Sequence, residues 1–157
     1  MTQPWIESPS SNHGGSRSWT DGVIVHSTRG DGGDREFEAT LNWFNNPDSQ
    51  ASAHVVIARD GRKARCVDSS LIAWHAGEHN AYYLGVELEQ ATREEEYTDH
   101  QYYILSTWIL SQAQVFGFPI SRTNIVGHEE TAQGKRMVKS DPGYKFDWDK
   151  LMGLLLS

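Results

Sequence analysis

Val23-Ile24-Val25-His26-Ser27-Thr28 is a β-branched run that stops at a histidine. Branching at Cβ suits a pleated strand, and the two-residue period puts Ile24 and His26 on one face, Val23 and Val25 on the other. A strand end holds a side chain rigidly, so His26 is well placed to act as a ligand. Upstream, residues 1–21 are rich in Ser, Pro, Gly and Asn with little apolar periodicity. They predict an irregular arm lying over the domain, pinned by Trp5, Ile6 and Trp19, with His13 exposed.

Downstream the period alternates. Residues 28–34 read as a loop, with glycines but neither the Gly-x-Gly-x-x-Gly fingerprint nor the lysine-serine of a phosphate cradle. Phe37, Leu41 and Phe44 make a helical stripe over 36–45 that Asn45-Asn46-Pro47 stops. Residues 52–58 and 62–67 read as strands joined by an Asp60-Gly61 hairpin turn. Tyr83 to Glu89 reads as another strand, with Val86 and Leu88 on one face and Glu87 and Glu89 on the other. A long helix runs from a Thr98-Asp99 cap to Phe116 with Gly117 as its stop, and Asp147 caps a short terminal helix. The sum predicts an α/β fold, a single mixed β-sheet flanked by helices, in one domain over residues 22–157. At 157 residues such a domain buries a core without staples. None is available, because Cys66 is the only cysteine and reads as a small buried hydrophobe.

The chemistry concentrates in Gly127-His128-Glu129-Glu130-Thr131-Ala132-Gln133-Gly134-Lys135-Arg136-Met137-Val138-Lys139-Ser140-Asp141-Pro142-Gly143. In an extended segment, Lys139 and Asp141 point the same way and can face one cavity. A hydrolytic zinc takes three protein ligands and keeps a fourth position for water. His128 and Asp141 supply two, and His26 the third. Each histidine alone reads more simply as structural or exposed; together with Asp141 they predict a Zn2+ site. Ala132 replaces the second histidine of a His-Glu-x-x-His helix, which excludes that metalloprotease class. No Gly-x-Ser-x-Gly elbow points to a serine hydrolase.

Val-His-Ser-Thr at 25–28, Ala-His-Val-Val-Ile-Ala-Arg-Asp-Gly at 53–61, Trp-His-Ala-Gly at 74–77, Gly-Val-Glu-Leu-Glu at 85–89, Gly-His-Glu at 127–129 and Lys-Ser-Asp-Pro-Gly at 139–143 occur in that order. The series resembles the type 2 N-acetylmuramoyl-L-alanine amidases, which include phage endolysins, wall-recycling amidases and peptidoglycan recognition proteins, from about Gly22 to Trp148. The resemblance implies that Glu87 is the catalytic glutamate and that the bond cut joins N-acetylmuramic acid to L-alanine in peptidoglycan. It places the Trp74-His75 loop along the substrate groove. His54 reads mainly as structural and also stands as a substrate contact beside Trp74 and His75. Lys139 would face the developing oxyanion. The family often ligates zinc with a cysteine; here Asp141 holds that place. Ala53 stands where some phage members carry a tyrosine, which favours a glutamate-lysine mechanism.

The net charge of −7 argues against nucleic acid, since phosphate binding needs clustered Lys and Arg. No apolar run approaches the roughly 20 residues of a membrane helix, and Met1–Trp5 lacks the features of a secretory signal. The expectation is a monomer made in the cytoplasm without a signal peptide. As a phage lysin it would reach the wall through a separate release factor. The alternatives are a non-catalytic muropeptide-binding module and a cytoplasmic amidase that recycles anhydromuropeptides.

Overall fold

The structure of the protein, a computed structural model, describes residues 3–30 and 35–157. Part of the expected glycine loop, residues 31–34, lies outside them. In chain order the elements are β1 (Trp5–Glu7), β2 (His13–Ser16), β3 (Gly22–Ser27), α1 (Glu36–Asn45), β4 (Val55–Ile57), β5 (Lys63–Arg65), β6 (Leu71–Ala73), β7 (Tyr83–Leu88), α2 (Asp99–Phe116), β8 (Ile125–Gly127), α3 (Ala132–Arg136) and α4 (Trp148–Leu156).

Six strands form one mixed sheet in the order β1-β5-β4-β7-β3-β8, while β2 and β6 pair separately. Within the large sheet only the β4–β5 hairpin is antiparallel. β3 is buried at every residue, as a parallel strand covered on both faces should be. Val23, Val25, Leu84 and Val86 pack under Leu105 and Ile109 of α2 and Leu151 of α4. On the opposite face, Phe37 and Phe44 of α1 pack on Val56, Ala64 and Cys66. α2 starts in a capping box, with the Gln101 N–H donating to the Thr98 hydroxyl at 3.3 Å and the Thr98 N–H to the Gln101 side-chain oxygen at 3.0 Å. It ends at Gly117, whose φ of 78° suits glycine.

The arm expected to be irregular instead supplies two strands: β1 extends the sheet beside β5, and β2 pairs with β6. Trp5 does pin it, packing against the core beneath the cations of Lys63 and Arg65. Ile6 and Trp19 do not, since both are exposed; Trp19 stacks on Tyr82 with ring centroids 4.8 Å apart. His13 is half-buried, not exposed. The hairpin strands are shorter than expected because the chain on either side bonds elsewhere. Ser52 bonds the Trp74 backbone through its N–H and hydroxyl, at 2.9 Å each.

His54 fastens the sheet. Its N–H donates to the Gly85 carbonyl, its carbonyl accepts from the Cys66 N–H, and its ring Nδ1 accepts from the Gly85 N–H at 3.0 Å. Nδ1 is therefore bare, and the proton sits on Nε2, which donates to the Leu71 carbonyl at 2.8 Å. Burial of this ring, 0% exposed, lowers its pKa from an ordinary 6.5 to about 4, against the raising effect of the Leu71 bond. The unfolded chain therefore binds one more proton than the folded one between those values. The resulting stability is complete above pH 6.5 and is lost as pH falls towards 4, on the order of 3 kcal/mol in all. Urea unfolding from pH 7 to pH 4 should show this decline in the wild type and a shallower one in His54→Asn; equal slopes would contradict the assignment.

Candidate metal centre

Strand register builds the site. β3 lies between β7 and β8, and its parallel pairing sets His26 opposite Glu87 and Val25 opposite Gly127. His128 follows Gly127 directly, so the His26 and His128 rings meet at the carboxyl ends of adjacent strands with centroids 4.4 Å apart. This is where open α/β sheets receive ligands. Asp141 arrives from a later segment, its Oδ2 lying 3.2 Å from His26 Nδ1 and 3.3 Å from His128 Nδ1. One ligand atom from each of the three residues lies within 4.8 Å of the others, the sole such group of three His, Cys, Asp or Glu donors among the described residues.

Both rings are buried, and the Asp141 side chain is 14% exposed. Two imidazoles and a carboxylate aimed at one point are acceptors facing acceptors unless a proton or a cation lies between them. The donor set, its convergence and its open side fit a catalytic zinc ion. That side is a cavity of about 360 Å³ bordered by Glu87, Lys139, Ser140 and His75. A larger cavity, about 570 Å³ between Trp5, Lys63 and the Thr107–Gln112 stretch of α2, holds no such donor group.

Two carboxyls here are driven in opposite directions. Burial raises the Glu87 pKa well above the usual carboxylate range, and the Asp141 charge adds to it, while Lys139 pulls the other way. Burial acts the same way on Asp141, but wherever a proton lies between it and His128 or His26 their hydrogen bonds and charges outweigh burial and hold its pKa well below that range. Burial also lowers the pKa of His26, against the opposing pull of Asp141. Glu87 Oε2 stands 3.8 Å from His26 Nδ1, beside the donor set and outside it. Glu89, by contrast, is structural, since its carboxylate accepts the N–H groups of Phe37, at the start of α1, and Arg59.

The structure brings His26, His128, Asp141, Glu87, Lys139 and His75 around one cavity and sets His54 and Trp74 apart from it. His54 is wholly buried with both ring nitrogens engaged, which corrects its reading as a substrate contact. Trp74 is half-buried and does not border the cavity. His75 borders it, but its nitrogens face His26 Nε2 and the Tyr83 carbonyl. Sequence patterns do not reveal Arg29, which holds the Asp141 segment in place. Its guanidinium donates to the Ser140 hydroxyl at 2.6 Å and carbonyl at 2.8 Å, while its Nε donates to Gln90. Nor do they reveal Gln133, whose Oε1 lies 2.7 Å from His128 Nε2. Neither residue belongs to a periodic pattern that would announce it.

Residues 16–144 match the N-acetylmuramoyl-L-alanine amidase family. The chain belongs to this family. Over 84 residues it is 36% identical to N-acetylmuramoyl-L-alanine amidase A of Achromobacter lyticus, covering 53% of this chain and 45% of that protein. Over 112 residues it is 33% identical to the 1,6-anhydro-N-acetylmuramyl-L-alanine amidase AmpD of Haemophilus influenzae, covering 66% and 58%. The chain thus spans about half the length of the curated relatives it matches. A crystal structure of a selenomethionine AmpD derivative superposes with a TM-score of 0.79 at 26% identity, over 99% of this chain and 96% of that one. The amidase fold expected from sequence, a mixed sheet flanked by helices, is the one found.

Cys66 takes no part in the donor group. It is buried, and burial pushes its thiol pKa up to about 12, with the Glu7 and Glu87 charges adding. A thiol so protonated is a poor nucleophile and a poor metal ligand. Ellman's reagent at pH 8 should leave it unmodified in the native protein and titrate one thiol in guanidinium. Rapid labelling of the native protein would show that Cys66 is reachable and ionised.

Proposed function

We propose that this chain is a zinc-dependent N-acetylmuramoyl-L-alanine amidase that hydrolyses the amide between the lactyl carbonyl of N-acetylmuramic acid and L-alanine in peptidoglycan. The observation that carries the reading is the convergence of His26, His128 and Asp141 beside a half-buried carboxyl, Glu87, in a cavity that Lys139 also borders. A module that only binds muropeptides needs no complete donor set with an acid–base group next to it.

Zinc held by His26 Nδ1, His128 Nδ1 and Asp141 would supply a Lewis acid that acidifies water and polarises the scissile carbonyl. Glu87 takes the proton of the attacking water and passes it to the leaving nitrogen. The water oxygen bonds to the carbonyl carbon, the C–N bond breaks, and a lactyl carboxylate and a free L-alanine amine result. Burial raises the Glu87 pKa, which makes it a better proton acceptor than an ordinary carboxylate. Lys139 brings positive charge to the carbonyl oxygen as it becomes an oxyanion. Ala53 is fully buried and offers no hydroxyl, so a tyrosine-assisted route has no residue at that position.

The polymeric wall, as a phage lysin would meet it, is the first substrate we infer. The identity to AmpD favours a second reading, in which anhydromuropeptides are cut during recycling. No helix among the described residues is long and apolar enough to cross a membrane, and the reaction asks for no second subunit.

EDTA should abolish hydrolysis of purified sacculi and zinc should restore it, with mass spectrometry showing free L-alanine N-termini and no new reducing sugars. New reducing ends would mean that a glycosidic bond is the target. Parallel digestion of anhydromuropeptides separates recycler from lysin by the ratio of kcat/KM. Glu87→Gln should keep its zinc and lose roughly 10²- to 10⁴-fold in kcat. Lys139→Ala should lose on the order of 3 kcal/mol of transition-state stabilisation, roughly 10²-fold. Wild-type turnover in either variant removes that residue from the mechanism.

A further inference from the structure

We infer that His75 is a positioning residue that locks His26 in the tautomer a metal requires, through a proton relay anchored on the Tyr83 backbone carbonyl. The inference rests on the metal-centre reading above and assigns a role to a ring outside the donor set.

One group in the relay has a fixed role. The Tyr83 carbonyl oxygen can only accept, and His75 Nε2 lies 3.1 Å from it, so His75 carries its proton on Nε2. A neutral imidazole has one proton, which leaves a lone pair on His75 Nδ1. No carboxylate pairs with this ring among the described residues, and its only ring neighbours within reach are His26 and His54, with centroids 5.1 and 6.2 Å away. His75 Nδ1 is 2.9 Å from His26 Nε2, so His26 must donate there. The proton of His26 is thereby held on Nε2, and its Nδ1, the nitrogen aimed at Asp141, presents a bare lone pair.

His128 reaches the same state by another route. Its Nε2 lies 2.7 Å from Gln133 Oε1, which accepts the proton and leaves Nδ1 bare towards Asp141. Both imidazoles then offer the nitrogens that converge, and a cation resolves the clash of acceptors that a wrongly placed proton would otherwise fill. Hydrogen bonds to the far nitrogen of a ligating histidine fix its orientation, and their loss commonly weakens metal binding roughly 10- to 100-fold.

The fold holds the relay in place. A Cβ on Gly85 would stand 2.6 Å from His75 Cγ, so β7 gives up a side chain there to seat the ring. The His75 and Ala76 N–H groups both donate to the Asn80 side-chain oxygen, at 3.0 and 2.7 Å, fixing the loop that carries the ring. The Trp-His-Ala-Gly segment thus works from behind the ligand, whereas the family resemblance alone would set it along the substrate.

The test compares wild type, His75→Leu and His75→Asn by zinc affinity in chelator competition and by two-bond 15N–1H NMR of the His26 ring in the metal-free protein. Leucine fills the space without an acceptor; the asparagine Oδ1 sits where the Nδ1 lone pair was. His75→Leu should bind zinc roughly 10- to 100-fold more weakly, and His75→Asn should recover most of that loss. Metal-free wild type should show His26 protonated on Nε2, and His75→Leu a mixture of tautomers. Unchanged affinity in His75→Leu, or a wild-type His26 protonated on Nδ1, overturns the relay. Should His75→Leu fail to fold, the wild-type tautomer and the asparagine variant decide. Failure of the metal reading has a separate signature, in which His26→Ala and Asp141→Ala bind zinc no worse than wild type.

Discussion

The in-register parallel pairing of β3 between β7 and β8 is the constraint from which the site follows. It places His26 level with Glu87 on one side and brings His128 alongside on the other. Backbone hydrogen bonds therefore align two donors and an acid–base group before any side-chain contact is made. A slip of one residue would turn His26 to the α2 face and replace it with an apolar side chain. The buried valines of β3 oppose that slip, because they would move to the polar face at the same time.

The third donor comes from a segment that no sheet pairing controls, and its placement needs other means. After α3 the chain turns sharply at Val138, which holds φ at 55°, a region that costs a β-branched residue on the order of 1–3 kcal/mol. Arg29 holds the segment from the β3 side through Ser140, and the Tyr97 hydroxyl donates to the Pro142 carbonyl at 2.7 Å. The turn at Val138 is what lets Lys139 and Asp141 leave α3 and face the cavity together. The Arg29 clamp and the Tyr97 bond keep Asp141 aimed at the cavity without a regular element beneath it.

Much of this was legible in the sequence because it repeats. The stripes of α1 and α2, the Thr98 cap, the Gly117 stop and the alternation of β7 are local signals, and they correspond to Glu36–Asn45, Asp99–Phe116 and Tyr83–Leu88. The strands β1, β2 and β6 were not legible, since three or four residues cannot show a period and their pairing is decided by distant partners. His54 and His75 illustrate a second limit. Both are histidines beside apolar residues, and composition cannot tell a ring that fastens a sheet from one that backs a ligand or meets a substrate. Only the partners of each ring nitrogen separate them, and those partners are 8 to 49 residues away.

The two carboxyls of the centre sit in opposed environments. Asp141 faces two imidazole nitrogens across the point where a proton or a cation would sit, and its pKa is held well below the usual carboxylate range. Glu87 lies a strand away, half-buried and largely desolvated, with the Asp141 charge as an unfavourable neighbour, and so it holds a proton far more readily. Exchanging their positions would exchange these shifts. The environments, not the chemistry of the carboxyl itself, assign the roles. Those environments come from the strand register on one side and the Arg29-held loop on the other. Lys139 marks the balance between them. Its charge opposes the upward shift of Glu87 and joins burial in lowering the His26 pKa, so one exposed lysine acts on both groups at once.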